Sequence, residues 1–191
     1  RQHHARARHP VGGRRHGGPA ALAGIGSFLR GFSIDENGNL YMADQNNQRV
    51  RKIDARTQTI DTIAGGGTGG DGGPARDAQL LFPGGLAVDS KGNIFVADQG
   101  NFRIRKIDAA TGTITTAAGS GYAFTGVADG KLATATPIQG IRRVEFDHSG
   151  NLLFTDSCRV WRGDAKTGIL STVIGERDCN ENKRGSFTAE V

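Results

Sequence analysis

Residues 31–44, 85–98 and 143–156 align without a gap, and each copy places two aspartates nine positions apart: Asp35 and Asp44, Asp89 and Asp98, Asp147 and Asp156. Arg49, Arg103 and Arg159 follow, each sixteen positions before a glycine (Gly65, Gly119, Gly175). Self-similarity of this kind marks one supersecondary unit that is copied and stacked, so the chain must fold as a repeat array. The period is 54 residues from Asp44 to Asp98 and 58 from Asp98 to Asp156. The difference falls in two places. The connection after Gly119 is four residues longer than the one after Gly65, and the turn after Asp156 is two residues shorter than its counterparts. Length varies where loops run over a fixed scaffold.

Each copy reads as four short strands. In the first copy, residues 31–34 lead into an Asp-x-x-Gly-Asn turn whose Gly38 and Asn39 tolerate the backbone of a tight hairpin. Residues 40–44 are apolar on both faces, which requires cover on both sides of the sheet. Residues 49–54 and 60–64 carry more charge and threonine and are expected at the wetter outer edge, joined by a Thr/Gly hairpin turn. Four antiparallel strands per copy, in series, predict an all-β, β-propeller-like array of about three blades, a partial or open propeller.

Residues 85–108, beginning Gly-Leu-Ala-Val-Asp-Ser-Lys-Gly-Asn-Ile-Phe-Val-Ala-Asp, and residues 70–75, Gly-Asp-Gly-Gly-Pro-Ala, resemble the NHL repeat. The resemblance spans residues 17–175 and weakens in the third copy. There Arg143 replaces the opening glycine, the Asn-containing turn shrinks to Ser157 and Cys158, and Trp161 stands where Arg51 and Arg105 stand. It implies blades at about 17–70, 71–128 and 129–178, and rings of about six blades where such repeats close. Three blades leave terminal faces uncovered, which an excerpted chain, two copies completing a ring, or an open arc capped by its tails would each explain.

The formal net charge of +5 suggests nucleic acid, but its distribution does not. Residues 1–16 hold five arginines and no acid, leaving 19 basic against 19 acidic residues in the repeat body. The first sixteen residues read as a basic, disordered arm and 179–191 as a polar tail. Contact with nucleic acid is expected only through that arm. No apolar run approaches the roughly 18–20 residues of a membrane helix. Cys158 and Cys179 form either one disulfide or two free thiols.

Histidines offer no metal or acid-base cluster, since His3, His4, His9 and His16 lie in the arm and His148 in a hairpin turn. No metal, cofactor or catalytic residue is assigned. Asp44, Asp98 and Asp156 with Arg49, Arg103 and Arg159 read as structural, the carboxylate accepting turn amides and the arginine one strand over pairing with it. Residues 65–83 form the most distinctive connection, expected to be a spacer ending in a helical turn over residues 74–80, with Pro74 at its first position. That connection, residues 45–47 and the equivalent turn of the second copy supply candidate rim contacts: Gln45, Asn46, Asn47, Asp71, Gln99 and Asn101. Departures from the repeat, namely Arg143, Glu145 and Trp161, are further binding candidates, Arg143 and Glu145 either lining a channel or pairing with each other.

These features predict a non-catalytic scaffold whose rim loops bind a protein or carbohydrate partner, with self-association as a route to a closed ring. The resemblance also brings two alternatives: part of a propeller enzyme, a lyase or lactone/ester hydrolase acting at the central channel, and RNA binding.

Overall fold

A computed structural model describes residues 17–123, 129–157 and 159–175. The basic arm, the polar tail, Cys158 and Cys179 lie outside the described residues. The chain forms three antiparallel sheets in series. A short strand β1 (Gly18–Pro19) precedes β2 (Leu29–Ile34), β3 (Leu40–Asp44), β4 (Arg49–Ile53) and β5 (Thr59–Ala64). The second blade holds β6 (Pro83–Val88), β7 (Ile94–Asp98), β8 (Arg103–Ile107) and β9 (Ile114–Ala118). The third holds β10 (Arg143–Phe146), β11 (Leu152–Thr155), β12 (Val160–Gly163) and β13 (Leu170–Ile174). Strands follow one another within each sheet except β1, which pairs with β5 at the outer edge of the first, and β2, β6 and β10 are innermost.

The hairpin turns repeat atom for atom. Asp89 Oδ1 accepts the Lys91 and Asn93 backbone N–H groups at 2.9 and 2.8 Å, and Oδ2 accepts the Asn93 side-chain amide at 2.8 Å. Asp35 and Asp147 do the same in their blades. Gly92 takes φ +80°, a left-handed backbone that glycine adopts without steric penalty. Asn93 Oδ1 then accepts the Ala109 N–H at 3.0 Å and so ties the first hairpin turn to the second. The second turn is closed by Asp54, Asp108 or Asp164, each accepting the backbone N–H and the hydroxyl of a threonine three residues on.

Blades stack through two apolar seams. Leu80, Leu86, Ile94 and Val96 of the second blade share a buried cluster with Tyr41, Ala43 and Ala64 of the first. Ile138, Val144, Phe154 and Trp161 of the third share another with Phe95, Ala97 and Ala118 of the second. At the hub the inner strands meet backbone to backbone. A Cβ at Gly31 would lie 2.8 Å from Gly85 Cα, and one at Gly85 would press on the Arg142 carbonyl and lie 2.9 Å from Arg143 Cα. The Gly85 N–H donates to that same carbonyl at 3.1 Å.

Two expectations change. Residues 65–83 are more than a spacer: the Gly72 N–H donates to the Ile114 carbonyl at 2.8 Å, the Ile114 N–H to Gly73, and the Ala75 N–H to Gly112, so this segment straps the outer edge of the second blade. The strap recurs. Gly18 pairs with Ile60 on the first blade and Leu132 with Ile169 on the third. The turn that follows is a single 3-10 turn, Ala75–Asp77, with Pro74 just before it. The third strand is also drier than its charge suggests, because Arg51 and Arg105 are buried.

Replacing Gly85 by alanine should overpack the hub and cost about 1–3 kcal/mol. Gly73→Ala, where an added Cβ meets nothing within 4 Å, should leave the urea midpoint nearly unchanged. Hydrogen bonds from Thr57, Thr111 and Thr167 hold the carboxyls of Asp54, Asp108 and Asp164 below their ordinary range. A depressed folded-state pKa contributes stability above the unfolded value and loses it as pH falls. The midpoint contribution of these turns should therefore be level from pH 7 to 5 and decline below about pH 4, near the ordinary aspartate value. Asp108→Asn should flatten that decline.

Candidate functional site

An aspartate ends β3 and β7 and directly follows β11, and Asp44 and Asp98 are fully buried. A buried carboxylate needs donors on most of its lone pairs. Asp98 Oδ1 accepts the Leu81 backbone N–H at 2.8 Å, while Oδ2 accepts Asn101 Nδ2 at 2.8 Å and Arg105 Nη1 at 3.2 Å. Burial pushes the Asp98 carboxyl above its ordinary value, and the Asn101, Leu81 and Arg105 donors oppose that rise. Asp44 accepts from the Gly26 N–H at 2.9 Å and from Asn47 Nδ2, with Arg51 at 3.8 Å. In the third blade the Trp161 indole N–H reaches Asp156 Oδ2 at 2.9 Å, and the Arg159 backbone N–H reaches Oδ1 at 2.8 Å.

The arginines that meet Asp44 and Asp98 are thus Arg51 and Arg105, not Arg49 and Arg103 as expected. Although Arg49 and Arg103 stand opposite these aspartates in register, each donates to a backbone carbonyl, Asn47 at 2.8 Å and Ser120 at 3.4 Å. Gly66 and Gly121, both left-handed, leave the room those guanidinium groups occupy. Arg105 also lies 2.6 Å from Asp71, which reaches in from the strap and accepts the Thr116 hydroxyl at 2.6 Å.

Most rim candidates are committed to the scaffold. Asn47 and Asn101 hold the buried carboxylates, and Asn101 also donates to the Gln79 carbonyl at 3.3 Å. Asp71 fastens the strap, and Gln99 donates to the Ile141 carbonyl at 2.6 Å, linking the second blade to the third. Trp161, expected as a binding residue, is 1% exposed; it fills the core and replaces an arginine as the donor to Asp156. Asn46 stays exposed with one contact to the Ser27 hydroxyl at 3.1 Å, and Gln45 accepts from Arg30 at 3.3 Å.

Arg143 and Glu145 behave differently. Both are exposed and line a hub cleft of about 660 Å³ together with Arg30, Arg142, Gln99 and the backbones of Gly31 and Gly85. The mutual ion pair weighed for Arg143 and Glu145 does not form, and Arg142, Arg143 and Glu145 make no ion pair with any described residue. Arg30 and Arg142 escaped notice in the sequence. Their signal was available, since both precede the hub position of a blade where the second blade has Gly84. The cleft offers three guanidinium groups and one carboxylate beside the backbone of Gly31 and Gly85, which suits hydrogen bonding and charge recognition. No cluster of three or more metal-ligating side chains occurs among the described residues.

The model for the teneurin NHL domain matches residues 65–126. NHL repeat-containing protein 2 of Bos taurus is 31% identical over 121 residues, covering 56% of this chain and 17% of that protein. The chloroplastic protein Suppressor of quenching 1 of Arabidopsis thaliana is 40% identical over 83 residues, 43% of this chain and 8% of that protein. The chain therefore spans a small part of the length of the relatives it matches. Among solved structures, a chain of the nidogen/laminin complex aligns with TM-score 0.58 at 17% identity, covering 81% of this chain and 51% of that one. A gluconolactonase from Xanthomonas campestris aligns with TM-score 0.56 at 17% identity, covering 80% and 48%. At that identity the likeness is one of fold.

Asp98→Ala should destabilise the second blade by about 3 kcal/mol, the low end for breaking a buried pair because Arg105 keeps Asp71. Asp71→Ala, with its partly exposed carboxylate, should cost about 1 kcal/mol. Urea denaturation followed by far-UV circular dichroism checks both, and equal effects would contradict the assignment of Asp98 as the central acceptor.

Proposed function

Because this chain is an NHL-repeat protein, an all-β array of propeller-type blades, we propose that it is a non-catalytic module that binds a protein or carbohydrate partner across the hub cleft and the adjoining turn at Asn46. The observation that carries this reading is the contrast in commitment between the two sets of polar groups. Rim amides and strap carboxylates are consumed in holding the blades, whereas Arg142, Arg143 and Glu145 are exposed, gathered in one cleft, and unpaired with any described side chain. Charged groups kept in solvent on a rigid wall provide specificity without reorganising the scaffold.

A glycan array and an affinity capture with the immobilised chain identify candidate partners, and direct titration then measures them. The Arg142→Ala/Glu145→Ala variant should weaken a genuine partner at least tenfold, or about 1.4 kcal/mol, with an unchanged unfolding midpoint. A partner that binds the variant as tightly as the wild type would sink the cleft assignment. Loss in Glu145→Ala of a hydrolase or lyase activity shown by the wild type would replace the binding reading with an enzymatic one.

A further inference from the structure

The two ends of the array expose the two halves of a blade junction. Leu80, Leu86, Val88 and Ile94 are the surface that the first blade covers on the second. Their counterparts in the first blade are Phe32, Ile34 and Leu40 at the 54-residue period, and Ile25, which precedes the Gly26 that donates to Asp44 as Leu80 precedes the Leu81 that donates to Asp98. Phe32 is 74% exposed where Leu86 is 3% exposed. At the other end, Val173 and Ile174 of β13 stand where Ala117 and Ala118 meet the third blade, and they too are exposed. Two copies could place these halves together twice and close a six-bladed ring by a symmetric head-to-tail contact.

The hub decides against it. At both junctions that exist, the preceding blade presents glycine, Gly31 or Gly85, and an added Cβ there would lie under 3 Å from the next blade's backbone. The third blade presents Arg143 at this position. Its strand differs as well. Pairing shifts register between Leu29 and Phe32 and between Pro83 and Leu86, but runs regularly from Arg143 to Phe146. Two residues on, Glu145 replaces Ser33 and Ala87, and Ala87 is buried in its junction. A further blade in the same geometry would meet a clash at Arg143 and an unmatched buried carboxylate at Glu145.

We infer that Arg143 is a stop to blade stacking, backed by Glu145, which keeps two copies of this chain from closing head to tail into a ring. Light scattering on a sizing column reads the outcome. Wild type and Glu145→Ala should run at the single-chain mass of 20.1 kDa. Glu145→Ala with Arg143→Ala should do the same, because the Cβ alone obstructs the hub. Glu145→Ala with Arg143→Gly should double the mass, and adding Phe32→Asp should restore the single-chain value. A doubled wild-type mass would overturn the inference without reliance on any variant. So would a glycine variant that folds by circular dichroism yet stays single, or an alanine variant that pairs as readily as the glycine one.

Discussion

Everything in a blade turns on one carboxylate that has to be buried. The aspartate at the end of the second strand sits where the incoming connection, the rim turn and the third strand converge, and one oxygen pair coordinates all three. In the second blade Leu81 supplies the incoming backbone, Asn101 the rim turn and Arg105 the neighbouring strand. An unmatched charge at this depth would be far less stable than the exposed group, so the donors are obligatory and the local chain path follows from them. The third blade shows how much latitude remains. With a shorter turn it lacks the asparagine, and Trp161 and the Arg159 backbone satisfy the same acceptor.

This explains which parts of the fold the sequence disclosed. Hairpin turns are local, so the Asp-x-x-Gly-Asn spacing alone specifies their hydrogen bonds, and the period of the copies specifies the stacking. The choice between Arg49 and Arg51 is not local. Both are arginines on the same strand, and the first lies over Gly66 and donates to the Asn47 carbonyl while the second reaches Asp44. Trp161 misled for a related reason: an irregular residue in a repeat marks either a new surface or a new solution to an old burial problem, and here it is the second. Arg30 and Arg142 were harder to read because they stand beside the glycine column and not in it, at a position that holds Gly84 in the second blade.

The hub imposes a second, purely steric constraint. Blades approach so closely there that glycine is required at the preceding blade's inner strand, which makes a single position sufficient to permit or forbid a neighbour. At the hub position itself a charged side chain can stand only where that constraint is released, and the third blade is where Arg143 takes that position, with Glu145 two residues on. The surface available for recognition and the end of regular stacking therefore coincide.

The strap bears on how such arrays grow by gene duplication. Each outer strand is sealed by residues that precede the inner strand of the same blade, as Gly18 seals Ile60 and Leu132 seals Ile169. A copied segment that begins at the strap carries its own seal and can be inserted whole. One that begins at the inner strand would leave its last strand with unpaired backbone groups, open to pairing with another chain. Duplications framed at the strap should therefore survive selection where others aggregate, and the phase of the repeat in the gene would record that filter.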